Sequence, residues 1–153
     1  MNTLPKLAAI TLAVIGLIAI PVPMTSPLAP AAAQAQQISG ETLATGQFQG
    51  ADRSHRGSGT ARIVRLANGE TEVRLEGFSV TGGPDLRVWV TDAATIPNAR
   101  AARRANHVDL GRLQRSRGDQ SYTIPANALD GDHRSVVIWC RAFGVLFASA
   151  PLA

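Results

Sequence analysis

Residues 135–152 read Ser135-Val136-Val137-Ile138-Trp139-Cys140-Arg141-Ala142-Phe143-Gly144-Val145-Leu146-Phe147-Ala148-Ser149-Ala150-Pro151-Leu152. Val136, Val137, Ile138 and Trp139 form a dense β-branched and aromatic run, the composition of a buried strand. Residues 145–148 are a second short apolar run, and the segment between the two contains Gly144, so the pair predicts a β-hairpin. Side chains alternate along a strand. Val136, Ile138 and Cys140 therefore fall on one face, and Val137, Trp139 and Arg141 on the other. The only cysteine of the chain is thus expected at the end of a core strand, beside a turn, with a cation next to it in sequence.

Upstream of this hairpin the chain breaks into similar short units. Residues 120–124 alternate, with Tyr122 and Ile124 on one face, and stop at Pro125. Residues 108–113 and 86–91 read as strands, the second with Leu86, Val88 and Val90 on one side. Residues 98–105 are good helix formers and predict one or two helical turns after Pro97. Residues 71–78 and 60–66 alternate around Asn68-Gly69, a hairpin signal because both residues tolerate positive φ. Gly82-Gly83-Pro84-Asp85 predicts a tight turn with positive φ at one glycine or both, since proline presets φ for the next step. Residues 46–51 read as a first strand around Phe48, and 52–59 as a loop. The sum is an all-β domain, a single antiparallel β-sandwich of about seven to nine short strands with one short helical insertion. A closed barrel is the alternative.

The first 35 residues do not share this pattern. Lys6 and the amino terminus precede an uncharged apolar run over 7–20, followed by Pro21, Pro23, Pro27 and Pro30, then Ala33-Gln34-Ala35. This is the order of a secretory signal cleaved after Ala35. The run is shorter than the ~20 residues of a membrane span. The organisation expected is a signal peptide over 1–35, a polar lead-in over 36–44 and a domain over 45–152. The mature chain is then an exported, periplasmic or secreted protein with no membrane span. If the segment is not cleaved, it is an amino-terminal anchor. Cleavage leaves about 118 residues, the size of one domain.

The net charge of +4 falls to about +3 without Lys6. Arg100, Arg103 and Arg104 cluster, as do Arg112, Arg115 and Arg117. Such clusters suit an acidic partner or a membrane surface, with a solvated face the favoured reading, and the lack of alternating aromatics argues against nucleic acid. One cysteine excludes an internal disulfide, so the fold must rest on its apolar core. The possible metal ligands His55, His107, His133 and Cys140 show no paired spacing, so no metal site is expected. There is no Cys-x-x-Cys-His for covalent haem and no Gly-x-Ser-x-Gly nucleophile turn. Gly82-Gly83 precedes a strand and not a helix, so it is no phosphate loop. No catalytic residue is assigned. Cys140 has two readings, a small core hydrophobe or a reactive or liganding thiol. Trp89 and Trp139 read as core or rim, and His55 as a loop histidine that is exposed or bonded to backbone.

Four stretches together resemble the DM-thirteen domain family, a module proposed to act in electron transfer. They are Gly46-Gln47-Phe48 with His55 and Gly57-Ser58-Gly59; Leu75-Glu76-Gly77-Phe78 with Gly83-Pro84-Asp85-Leu86-Arg87-Val88-Trp89-Val90; Leu110-Gly111-Arg112-Leu113 with Gly118, Gln120, Tyr122, Ile124 and Pro125; and residues 135–140 with Phe143, Val145, Phe147, Ala150 and Leu152. The resemblance implies an extracytoplasmic β-sandwich in which Cys140 is the characteristic cysteine, acting as a bare thiol or as a ligand to a group such as haem. His55, Trp139 and Phe143 are the supporting candidates, the last two lining an approach for a flat cofactor or a partner. Any partner would be a separate redox or envelope protein. The alternative is a non-enzymatic binding module in which Cys140 only packs.

Overall fold

The alternating segments form nine strands in the computed structural model, which describes residues 40–153. They are β1 (Glu41–Gln47), β2 (Gln49–Gly50), β3 (Gly57–Arg65), β4 (Thr71–Val80), β5 (Leu86–Thr91), β6 (His107–Arg112), β7 (Gln120–Ile124), β8 (Ser135–Cys140) and β9 (Val145–Pro151). One α-helix, α1 (Ala99–Arg104), and a 3-10 turn (Ala128–Gly131) complete the set. The strands pair antiparallel in two sheets, β1-β3-β4-β7 and β2-β9-β8-β5-β6. The all-β sandwich expected from the sequence is the fold. The expected signal peptide lies outside the described residues, as do residues 36–39 of the lead-in.

The main core lies between the sheets. Ile63, Val73, Leu75 and Phe78 of β3 and β4 meet Val88, Val136, Ile138 and Phe147 of the other sheet in one buried cluster. The outer face of β4 is polar and half-buried, with Arg62 and Glu76 paired at 2.7 Å, which is why β4 alternates so clearly. β8 differs, because all six of its residues are buried. Its second face carries Val137 and Trp139, which form a further apolar cluster with Trp89 and Leu146 beneath Ile96 and Ala102. A strand covered on both faces has no polar side to alternate with, hence the continuous apolar run. Asn98 starts α1 over this face, accepting a hydrogen bond at its Oδ1 from the backbone N–H of Ala101 (3.0 Å).

Three local expectations need correction. β1 begins at Glu41, inside the residues read as a polar lead-in. As an edge strand its one neighbour within the sheet is β3, and although Thr45 exchanges backbone hydrogen bonds with Ala153, its start leaves Glu41, Thr42 and Leu43 exposed, so little apolar signal is required there. The strand expected over 46–51 is in fact divided. Its first part ends β1, Phe48 turns inward to an edge-on contact with Phe78 (5.0 Å between centroids), and β2 joins the opposite sheet. Neither Gly82 nor Gly83 has positive φ. Position 83 is instead crowded, because a Cβ there would lie 2.8 Å from Leu86 Cδ2 and 3.0 Å from Phe147 Cζ, both on buried side chains that would have to shift. The Asn68-Gly69 hairpin forms as read, with Gly69 at φ 86° and its N–H bonded to the Leu66 carbonyl (2.9 Å).

Candidate functional site

Cys140 is the last residue of β8 and sits in register with Leu86 on β5 and Val145 on β9. Its side chain belongs to the core between the sheets and is 0% exposed. The chain turns immediately beyond it. The N–H of Gly144 donates to the Cys140 carbonyl (2.9 Å), and Gly144 takes φ 64°. A second turn meets this one. The N–H of Arg141 donates to the Asp85 carbonyl (2.9 Å), and Arg141 Nε lies 2.6 Å from Asp85 Oδ2. The Gly82–Asp85 turn and the Cys140 hairpin, singled out separately in the sequence, therefore close the same end of the sandwich. Opposite charges at the ends of two strands were the available signal, but they are 56 residues apart and only the β5–β8 pairing joins them.

A third loop reaches the same end. The N–H of Thr81 donates to the Arg56 carbonyl (2.9 Å), and the N–H of Arg56 to Thr81 Oγ1 (3.0 Å). In this loop Asp52 Oδ1 accepts from the backbone N–H groups of Ser54 (2.7 Å) and His55 (2.8 Å), while Oδ2 lies 2.7 Å from His55 Nδ1. The His55 contact, side chain first and backbone second, holds the Asp52 carboxyl below its ordinary value. So fixed, the His55 ring rests 4.3 Å from the ring of Phe147, which belongs to the same apolar cluster as Cys140. His55, Gly83, Leu86 and Cys140 thus gather around one end of the core.

The other two supporting candidates lie elsewhere. Trp139 projects from the opposite face of β8, so its ring does not line an approach to the sulfur. Phe143 stands 67% exposed at the hairpin tip. Arg141, the cation adjacent in sequence, is engaged by Asp85. A thiol here can pack, and reaction at sulfur requires the end to open. A haem does not fit as the chain is folded here, since an iron ligand needs an open face and the sulfur has none. The cleft beside His55 encloses about 200 Å³, below the ~300–1,000 Å³ of small-molecule sites, and Cys140 does not line it. Among the described residues, no three His, Cys, Asp or Glu side chains gather as a metal site would require.

The sequence reading also missed a row of rings on the outer face of the second sheet. His107 stacks on Trp89 (3.9 Å, 18° between planes), and Trp89 on Trp139 (4.8 Å, 22°). The two tryptophans were visible as core or rim residues, but their contact depends on β8 lying beside β5.

No curated protein and no solved structure matches the chain. One family does, over residues 47–152, and its description is Electron transfer DM13. That span begins at the end of β1 and runs through the hairpin that carries Cys140, taking in both sheets and all three loops of the closed end. With the match covering most of the chain, and the expected sandwich in place, the chain belongs to the electron-transfer DM13 family.

Proposed function

We propose that this is an exported electron-transfer module in which Cys140 is the redox-active or liganding group, masked until the end of the sandwich opens. The observation that carries this reading is the closure itself. The single thiol lies directly inside two turns joined by the backbone hydrogen bond from Arg141 to Asp85 and by one ion pair, whose Arg141 side chain is 65% exposed. Ion pairs with an exposed member contribute little, of order 0–1 kcal/mol, so a partner that engages Arg141 breaks the pair at small cost and leaves the Asp85 carbonyl bond as the remaining tie between the turns. Family membership supports the electron-transfer role, and the order of residues 1–35 supports export. With the end open, the thiol loses its proton to water and the thiolate attacks a disulfide of a separate envelope protein. One S–S bond forms, one breaks, and the partner's other sulfur leaves as thiolate.

The test is iodoacetamide labelling of the folded protein, compared between the parent and Asp85→Asn, with a visible spectrum of parent and Cys140→Ser. Faster labelling of Asp85→Asn at unchanged global stability is expected. Labelling that only tracks global unfolding in both proteins, with a featureless spectrum, would refute the reading. A second reading is then left, a binding module with Cys140 as packing, which the complete burial of the side chain favours.

A further inference from the structure

The outer face of the second sheet carries a layered arrangement that the closed end does not use. It crosses three neighbouring strands in sheet order, Trp139 on β8, Trp89 on β5 and His107 on β6. His107 is exposed on the edge strand, while Trp89 is 7% and Trp139 5% exposed. The guanidinium of Arg103, on α1, lies over the Trp139 ring at 5.5 Å and closes the inner end of the row. Arg103 is also bonded to the Gly144 carbonyl, so its position is held. Trp89 has a further peculiarity. Its Nε1 is the one buried side-chain N or O among the described residues with no hydrogen-bond partner. Buried tryptophans usually find an acceptor for this N–H.

We infer that Trp89 is a redox-active residue, the site from which a strongly oxidising one-electron acceptor on a partner protein, a high-valent metal–oxo centre, draws its electron, with His107 as the surface contact of the row. The inference rests on the electron-transfer role of the family but not on any role of Cys140. In the step, Trp89 loses one electron and becomes an indole cation radical, and the acceptor is reduced by one electron. No bond breaks. The Nε1 proton stays in place because no acceptor stands beside it, and a reduced metal centre of a partner later returns one electron and restores the neutral ring. Two stacked rings share the positive charge in part. Arg103 decides where it rests, because a fixed cation over Trp139 disfavours a second positive charge on that ring. The charge is thereby biased toward Trp89, the ring in contact with His107.

The packing alternative is plain. Trp89 and Trp139 also fill an apolar cluster under α1, and stability alone would not separate the two roles. The radical does. The protein, carried in the Cys140→Ser background so that no thiol is oxidised, is mixed with photogenerated tris(bipyridine)ruthenium(III) and followed by transient absorbance and electron paramagnetic resonance. The expected result is a protonated indole cation radical centred on Trp89. Trp89→Phe should form indole radical about tenfold more slowly, and Trp139→Phe should behave like the parent. Arg103→Gln should spread the spin onto Trp139. This variant keeps both tryptophans and answers the question even if Trp89→Phe does not fold. Equal rates in parent and Trp89→Phe, a deprotonated indolyl radical, or spin unchanged by Arg103→Gln would each overturn the inference. Because Cys140 is absent throughout, failure here leaves the thiol reading to its own test.

Discussion

Cys140 and Trp139 are neighbours in the chain and belong to different layers of the protein, one sealed between the sheets and the other pressed under α1. Single residues in this fold act through the space they occupy. Gly83 is the plainest case. Its backbone is accessible to any residue, yet a Cβ would press on Leu86 and Phe147, whereas a Cβ at Gly82 would meet nothing within 4 Å. Gly83→Val should therefore destabilise the domain by about 1–3 kcal/mol, the range for overpacking. Gly82→Val should stay within about 0.5 kcal/mol of the parent, as exposed substitutions do. Urea unfolding of the two variants checks this. Equal losses would point back to a conformational requirement in the turn.

At the scale of an element, α1 is six residues long, too short to stand alone, and depends on its cap and on what it covers. Asn98 supplies the cap, Arg103 and Arg104 lie in the last turn, where the helix dipole favours cations, and Ala102 packs at 0% exposure against the tryptophan face. Asn98→Ala should cost about 0.5–2 kcal/mol. Because α1 and the segment before it roof Trp89 and Trp139, the same variant should raise the quenching of tryptophan fluorescence by acrylamide before global unfolding begins. Quenching that changes only at the global transition would mean the roof and the sandwich open together.

For the molecule as a whole, stability is linked to pH through Tyr122. Its hydroxyl donates to Gln120 Oε1 (2.7 Å) and accepts from the N–H of Gln114 (2.9 Å), and the residue is 6% exposed. Burial raises its pKa above the ordinary value of 10.0. The folded chain then holds this proton more tightly than the unfolded chain. The resulting stability is fully present below pH 10.0 and is lost as pH rises through the folded value. Tyr122→Phe should flatten this alkaline loss. At neutral pH it should cost about 1–3 kcal/mol, since the Gln114 N–H loses its acceptor. Urea midpoints measured across the alkaline range test both parts. An unchanged slope in Tyr122→Phe would assign the alkaline loss to other groups.

The sequence alone determined the all-β class and the identity of most strands, because sheet geometry imposes period two wherever one face is wet and one is dry, as in residues 71–78. It also located the hairpin at Cys140, since a β-branched run followed by a glycine-bearing turn has few other uses. The beginning of edge strand β1 escaped notice, because pairing on one side satisfies the backbone there without an apolar pattern. Tertiary structure alone decided the rest of the candidate site. Periodicity gives the face a side chain occupies but not what covers that face. It could place Cys140 opposite Trp139, yet not show that both faces of β8 are buried. The Asp85–Arg141 closure and the Trp139–Trp89–His107 row depend on β5 lying between β8 and β6. Strand order is set by the summed burial of both sheets, a property no single segment of the chain carries.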